Sequence, residues 1–344
     1  MKRTPNMQDV ADAAKVSLMT VSYALRSHPS IPAATRERIQ KTADELGYVR
    51  SPLVSALMTQ IRGRKETLIQ PVIAFTSSYT DKNSMLSNGF RKACFEGASQ
   101  RAQSLGFRLE LFLSQGHSAR TAKRLSDVLT FNNVQAVICG ISNLDAPAID
   151  LDWSSFSSCV IGRSQSYPHH HHIESNYPKM AITAVERLRA LGYEKIGFLS
   201  GSFESARVEG AVVSALLGYN FSVPVSEHIR FTTISQKNWR AAPVVTWVKR
   251  QKLDALIIQS HSVYDFLNHS EIRIPEDLAV ATLERTEDTN LAGIDQGPVE
   301  IGAAAVDLVV NELYQNHRGI PTVRHTLLLD GHWVDGPTAP GRKP

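Results

Sequence analysis

The sequence predicts an α/β protein: a small all-α helix-turn-helix head, a short linker, and a two-lobed body built on parallel sheets. Three observations carry this prediction. The first fifty residues repeat apolar positions at helical spacing in three short runs parted by polar breaks. From Val72 onward, short apolar strands alternate with amphipathic helices, the rhythm of parallel sheets covered by helices. That alternation runs through two successive series, which implies two lobes.

In the head, Asn6 is placed to cap a first helix, with Val10, Ala13 and Ala14 on one face. Lys15-Val16-Ser17 breaks it, and Ser17 is placed to cap a second helix, Leu18 to Leu25, with Val21, Ala24 and Leu25 as its buried stripe. His28-Pro29-Ser30 is a loop, and Pro32 falls in the first turn of a third helix, where Ile39, Ala43 and Leu46 share a face and Gly47 ends the pattern. A head of this size is too small for a catalytic domain. Residues 51–65, mixed apolar and basic with helical period, read as a linker that folds only in context.

The first body series has strands at Val72–Phe75, Leu109–Leu113, Ala136–Cys139 and Cys159–Ile161, and a helix with Leu86, Phe90, Ala93 and Gly97 on one face. The second starts with a helix carrying Ala181, Val185 and Leu188, closed by Gly192, followed by strands Ile196–Leu199, Ala255–Ile258 and Leu278–Leu283. Open parallel sheets bind ligands at the carboxyl ends of their strands, which makes the cleft between lobes the expected pocket.

With 344 residues the chain has room for two or three domains. No apolar run approaches the ~18 residues of a membrane helix. Polar residues follow Lys2 and Arg3, so no secretory signal is expected and the protein is expected in the cytoplasm, on the nucleoid when bound to DNA. Cys94, Cys139 and Cys159 sit in apolar surroundings and read as reduced core residues, with no disulfide frame and no metal site. Charge is distributed unevenly. Residues 1–65 hold eleven Lys or Arg against five Asp or Glu, so they carry +6 of a chain whose net charge is +4. A basic head on a mildly acidic body suits a head that meets a polyanion. Charge alone leaves a plain solvated face equally open.

From Asp9 to Val49 the sequence resembles the lactose-repressor/galactose-repressor family of bacterial transcriptional regulators. The matching elements are Asp9-Val10-Ala11, Val16-Ser17, Thr20-Val21-Ser22, Thr35-Arg36-Glu37-Arg38 and Glu45-Leu46-Gly47-Tyr48. The body agrees less densely, at Glu186-Arg187-Leu188, Leu191-Gly192-Tyr193, Arg207-Val208-Glu209-Gly210, Ile274-Pro275-Glu276-Asp277 and Asp295-Gln296. The resemblance implies a homodimer that binds double-stranded operator DNA and answers to a small-molecule effector, a sugar or sugar derivative. It also implies the architecture: a DNA-binding domain over 1–50, a hinge helix over 51–65, and a periplasmic-binding-protein-like core over 66–340. One lobe would take 66–163 and 291–320, the other 164–290 and 321–340. No cofactor is implied, and whether the regulator represses or activates depends on where the operator lies.

By that resemblance the second helix enters the major groove, where base pairs are distinguishable. Leu18, Met19 and Tyr23 match base-reading positions, Tyr23 standing where the family often has Arg. Leu and Met offer apolar contacts, for instance to thymine methyls, with helix packing as the alternative. Ser17, Thr20, Ser22 and Arg26 match phosphate-contacting positions, which set register without reading sequence. Leu57 matches the hinge-helix leucine that wedges into the minor groove, with dimer packing as its alternative. Arg207 matches the main effector-contacting arginine, whose fork suits two hydroxyls or a carboxylate. Glu284 falls where the family usually has an effector-binding Asp, and Gln296 matches another pocket position. Trp239 and Tyr264 are further candidates as stacking platforms. The family's Asn-Asp pair after Ala255–Ile258 is replaced by Ser260-His261-Ser262, which argues against an ordinary hexose.

His169 to His172 invites a metal reading, but consecutive residues of an extended chain project to opposite sides, and no further ligand is spaced nearby. The run is expected to be a lobe connector with one His facing the cleft. No nucleophile elbow, phosphate-cradling loop or catalytic set is present, so no enzyme is expected. A solute-binding transport protein would lack the head.

Overall fold

In the computed structural model, residues 7–25, 31–46, 70–79, 81–113, 119–132, 134–141, 151–162, 169–201, 210–234, 241–259, 261–286 and 289–342 are described. The chain divides into two compact units, Met1–Ile69 and Gln70–Pro344.

The first unit contains α1 (Met7–Ala14), α2 (Leu18–Ala24) and α3 (Ala33–Leu46). Val10, Ala11, Ala14, Val21, Ala24, Ile39 and Ala43 form its core, edged by Met7, Val16, Leu25 and Ile31. Two expected positions differ. Ala13 is exposed and Ala11 is buried, because the apolar stripe starts at Met7 and continues to 10, 11 and 14. Leu46 is also exposed, since only Ile39 and Ala43 of α3 reach the other two helices. Asn6, the expected cap of α1, lies outside the described residues.

The second unit holds two six-stranded sheets. The first is built from β1 (Val72–Ser77), β2 (Arg108–Leu113), β3 (Ala136–Cys139), β4 (Ser157–Ile161), β5 (His171–Ser175) and β11 (Thr326–Leu329). Its strand order is β11-β5-β4-β3-β1-β2, and every pairing is parallel. The second contains β6 (Ile196–Gly201), β7 (Arg230–Ile234), β8 (Ala255–Ile258), β9 (Ala279–Arg285), β10 (Ala292–Asp295) and β12 (His332–Val334), in the order β12-β10-β9-β8-β6-β7. Here only β12 runs antiparallel.

Helices cover both sheets. The single helix expected around Leu86 and Gly97 is two, α4 (Lys82–Leu86) and α5 (Gly89–Ser104), because Asp81 and Asn88 each cap a new start. The other described helices are α6 (Ala119–Phe131), α7 (Tyr177–Ala190), α8 (Ala211–Ser222), α9 (Ala241–Gln251), α10 (His261–Asn268) and α11 (Pro298–Tyr314). α11 follows a strand of the second sheet yet packs its Ile301, Ala305, Val306 and Val309 into the core of the first.

Among the described residues the chain therefore crosses between lobes three times: after β5, between β10 and α11, and between β11 and β12. These crossings differ from the expected lobe boundaries. Residues 171–175 belong to the first sheet although 164–290 was assigned to the second lobe; 292–295 belong to the second and 326–329 to the first. The histidine run is thus no connector. His171 and His172 open a buried strand, and imidazoles with partners of their own can fill a sheet interior where the sequence reads as polar.

Candidate nucleic-acid interface and ligand site

The turn before α2 is set by backbone geometry. Lys15 takes a left-handed conformation at φ 53°, and the Val16 N–H donates to the Ala11 carbonyl at 3.0 Å. This pattern closes a helix and turns the chain sharply. Arg38 on α3 adds a bond the sequence did not announce, its Nη1 donating to the Ala14 carbonyl at 2.8 Å. A carbonyl at the end of α1 would otherwise depend on water.

Ser17 caps α2 as expected: its Oγ accepts from the Thr20 N–H at 3.1 Å and lies 2.8 Å from Thr20 Oγ1. Val21 and Ala24 lie in the core, Met19 faces away from them, and Leu18 stands at the edge of their face. Leu18 and Met19 are 46% and 62% exposed, so neither serves the packing of the head. Ser22 and Tyr23 are half-buried. The head thus presents two apolar side chains to solvent at the start of a helix anchored on its other face. Arg26 and Leu57 lie outside the described residues.

In the body, Glu284 stands at the carboxyl end of β9, half-buried, and Gln296 follows β10 directly. The two strands are neighbours, so the sheet brings these two candidates to one rim. Gln296 is buried and already engaged: its Oε1 accepts from Ser175 Oγ at 2.7 Å, and its Nε2 donates to the Leu283 carbonyl at 2.8 Å. Ser175 ends a strand of the first sheet and Leu283 lies in the second, so this amide ties two of the crossings together. Sequence reasoning did not find Ser175, because only the sheet order brings it to Gln296. Gln259, just past β8, is also buried at this rim. Tyr264 is half-buried against the core of the second lobe that holds Val263 and Leu267, with the His261 ring 5.8 Å from its own. Arg207 and Trp239 lie outside the described residues.

The histidines are spoken for by the protein. His170 Nδ1 lies 2.8 Å from Ser158 Oγ with its ring against Trp153, and burial, aided by His172 and His171, pushes its pKa down to about 4. His171 Nδ1 accepts from the His325 N–H at 3.0 Å, while its Nε2 lies 3.7 Å from Glu312. Burial lowers its pKa too, against the opposing pull of Glu312. Among the described residues no group of three or more His, Cys, Asp or Glu is arranged to hold a metal ion. The three cysteines are buried and unpaired, and desolvation raises their thiol pKa values, that of Cys139 to about 12.

Two family models match separate parts of the chain. Residues 6–51 match the bacterial regulatory proteins of the lacI family, and residues 185–337 match the periplasmic binding protein-like domain. The chain is similar to the lacI family. Its head is that family's DNA-binding helix-turn-helix, its body is the periplasmic-binding-protein-like module, and the protein is a transcription regulator. The repressor MelR of Bacillus subtilis is 24% identical over 94% of this chain and 96% of its own length. Two solved structures share the fold. The CelR–cellobiose complex has a TM-score of 0.56 at 20% identity, over 97% of this chain and 99% of that one. The lac repressor dimer bound to operator and the anti-inducer ONPF has a TM-score of 0.55 at 21% identity, over 98% and 99%. No described helix is long and apolar enough to cross a membrane.

Proposed function

We propose that this lacI-family protein is a cytoplasmic repressor that binds a near-palindromic operator as a homodimer, with an affinity controlled by a small carbohydrate-related molecule. It performs no catalysis. The exposure of Leu18 and Met19 on a capped helix whose other face is locked into the head carries the DNA-reading half. These two side chains and Tyr23 read base edges, while Ser17, Thr20, Ser22 and Arg26 position the helix on phosphates. Leu57 wedges into the minor groove at the operator centre. The crevice at the carboxyl ends of two parallel sheets supports the effector half, with Arg207 and Glu284 as its polar lining. MelR's description as a repressor and the operator and cellobiose named for the two solved relatives support the same reading.

Selection of randomised duplexes by the full chain tests it. The expected result is two inverted half-sites whose centres lie about one helical turn, roughly 10 bp, apart, with affinity that falls steeply as salt rises. Recovery of a single asymmetric half-site would overturn the dimer, and recovery of no motif would overturn the operator.

A further inference from the structure

In the second sheet β7 lies on one side of β6 and β8 on the other, so the strand order reverses at β6. In open parallel sheets the carboxyl ends of strands at such a reversal bound the crevice that takes a ligand. Gln259 is the first residue past the carboxyl end of β8 there. It is 3% exposed, and among the described residues neither its Oε1 nor its Nε2 has a hydrogen-bond partner. Ala255 and Ile257 pack in the cluster that holds Leu283, while Leu256 and Ile258 pack in the opposite one. Alternation therefore puts Gln259 in the row of Ala255, Ile257 and Leu283. Because Ile258 pairs with Thr282, Gln259 stands beside Leu283, whose carbonyl is already taken by Gln296. Two buried amides thus sit at one rim; one ties strands together, and the other bonds to nothing. Buried polar groups left unmatched are rare, and at a crevice the missing partner is expected from a ligand.

We infer that Gln259 is the residue that selects the effector, and that it takes a neutral pair of adjacent hydroxyls. This rests on the effector reading above. A primary amide offers an acceptor oxygen beside donor hydrogens. Two neighbouring hydroxyls can each donate or accept, and so satisfy both ends of the amide. A carboxylate only accepts; it would leave Oε1 unmatched and would meet the carboxylate of Glu284 at the same rim. The geometry therefore asks for a hydroxyl pair, and not a carboxylate, at Gln259 itself.

The test compares the full-length protein with Gln259→Met, which keeps the shape and removes the amide, and with Gln259→Leu as a second variant. Glucose, galactose, ribose, cellobiose, glucuronate and galacturonate are titrated by calorimetry, and melting without sugar is recorded. The expected result is a neutral sugar that binds the unmodified chain and binds either variant about ten- to hundredfold more weakly. The sugar-free variants should melt no lower than the parent, since an unmatched amide has been removed. Equal affinity in parent and variants overturns the role of Gln259 while leaving the effector reading intact. A lower melting temperature in both variants shows that the amide has a structural partner and likewise overturns it. A uronate that binds the parent and both variants equally overturns the hydroxyl pair. If no sugar binds the parent chain, the effector reading fails first and this inference with it.

Discussion

Leu18 and Met19 could be packing residues by type, yet they stand 46% and 62% exposed on a helix whose Val21 and Ala24 are buried. Apolar contacts from such side chains read thymine methyls but cannot distinguish as many bases as a guanidinium would. Tyr23→Ala is therefore expected to alter preference at one operator position by about 1–3 kcal/mol, read from selected-sequence profiles. A uniform loss across all sequences would make Tyr23 a positioning contact instead. His170 gives a second residue-scale expectation. Its folded pKa is about 4, below the ordinary imidazole value of 6.5, so the unfolded chain binds the extra proton first as pH falls. Stability from the neutral, buried imidazole is full above the unfolded pKa and is lost as pH drops from there toward the folded one. Between about pH 7 and about pH 5 the loss should be about 2 kcal/mol. Urea denaturation at the two pH values checks this, with His170→Phe expected to flatten the dependence; an unchanged slope in that variant would assign it to other groups. The cap role of Ser17 was legible in the sequence because a cap is a local feature. The burial of His170 was not, since Trp153 and Ser158 reach it only through the sheet.

The packing of α5 against α11 shows what an element can demand of single residues. A Cβ on Gly97 would lie 2.1 Å from the Val299 carbonyl oxygen, and one on Gly302 would lie 1.9 Å from that of Cys94. Each helix thus presents a glycine to the other's backbone, and close approach follows from the absence of both side chains. Gly302→Ala gains about 1 kcal/mol of helix propensity but forces the helices apart. Overpacking of this kind costs about 1–3 kcal/mol or more, so net destabilisation is expected in urea denaturation. A more stable variant would mean that the two helices move apart freely. Sequence periodicity placed Gly97 on the buried face of its helix, yet nothing local to it names α11, some two hundred residues away, as the partner. Strands fared similarly. Runs rich in Val, Ile and Leu, such as Ala136–Cys139 and Ala255–Ile258, are marked by composition. β5 begins with two histidines and hid behind them.

At the scale of the whole molecule, the two-lobed body follows from two series of alternating elements, whereas its crossings depend on which sheet each late strand joins. β10 and α11 are adjacent in sequence and serve different lobes, and Gln296 stands between them. The family resemblance marks Gln296 as a ligand contact; the geometry gives it a second task, holding Ser175 to Leu283 across the crossings. The two roles predict different outcomes in sugar-free protein. If the amide is a tie, Gln296→Leu should lower stability by about 1–3 kcal/mol, because Ser175 and the Leu283 carbonyl lose a buried partner. Ser175→Ala should also lower it, and the double variant should lose less than the sum of the single losses, with a coupling of about 0.5–3 kcal/mol. Urea denaturation of the four proteins of this cycle measures that coupling directly. Additive losses would show that Ser175 and Gln296 act independently. An unchanged Gln296→Leu variant would return the residue to ligand binding alone. A measured coupling would instead identify a polar joint between the lobes whose integrity can be followed without knowing the effector. Ligand-driven change in operator affinity requires that a ligand favour one lobe arrangement over another, and loss or retention of this joint would report which is favoured.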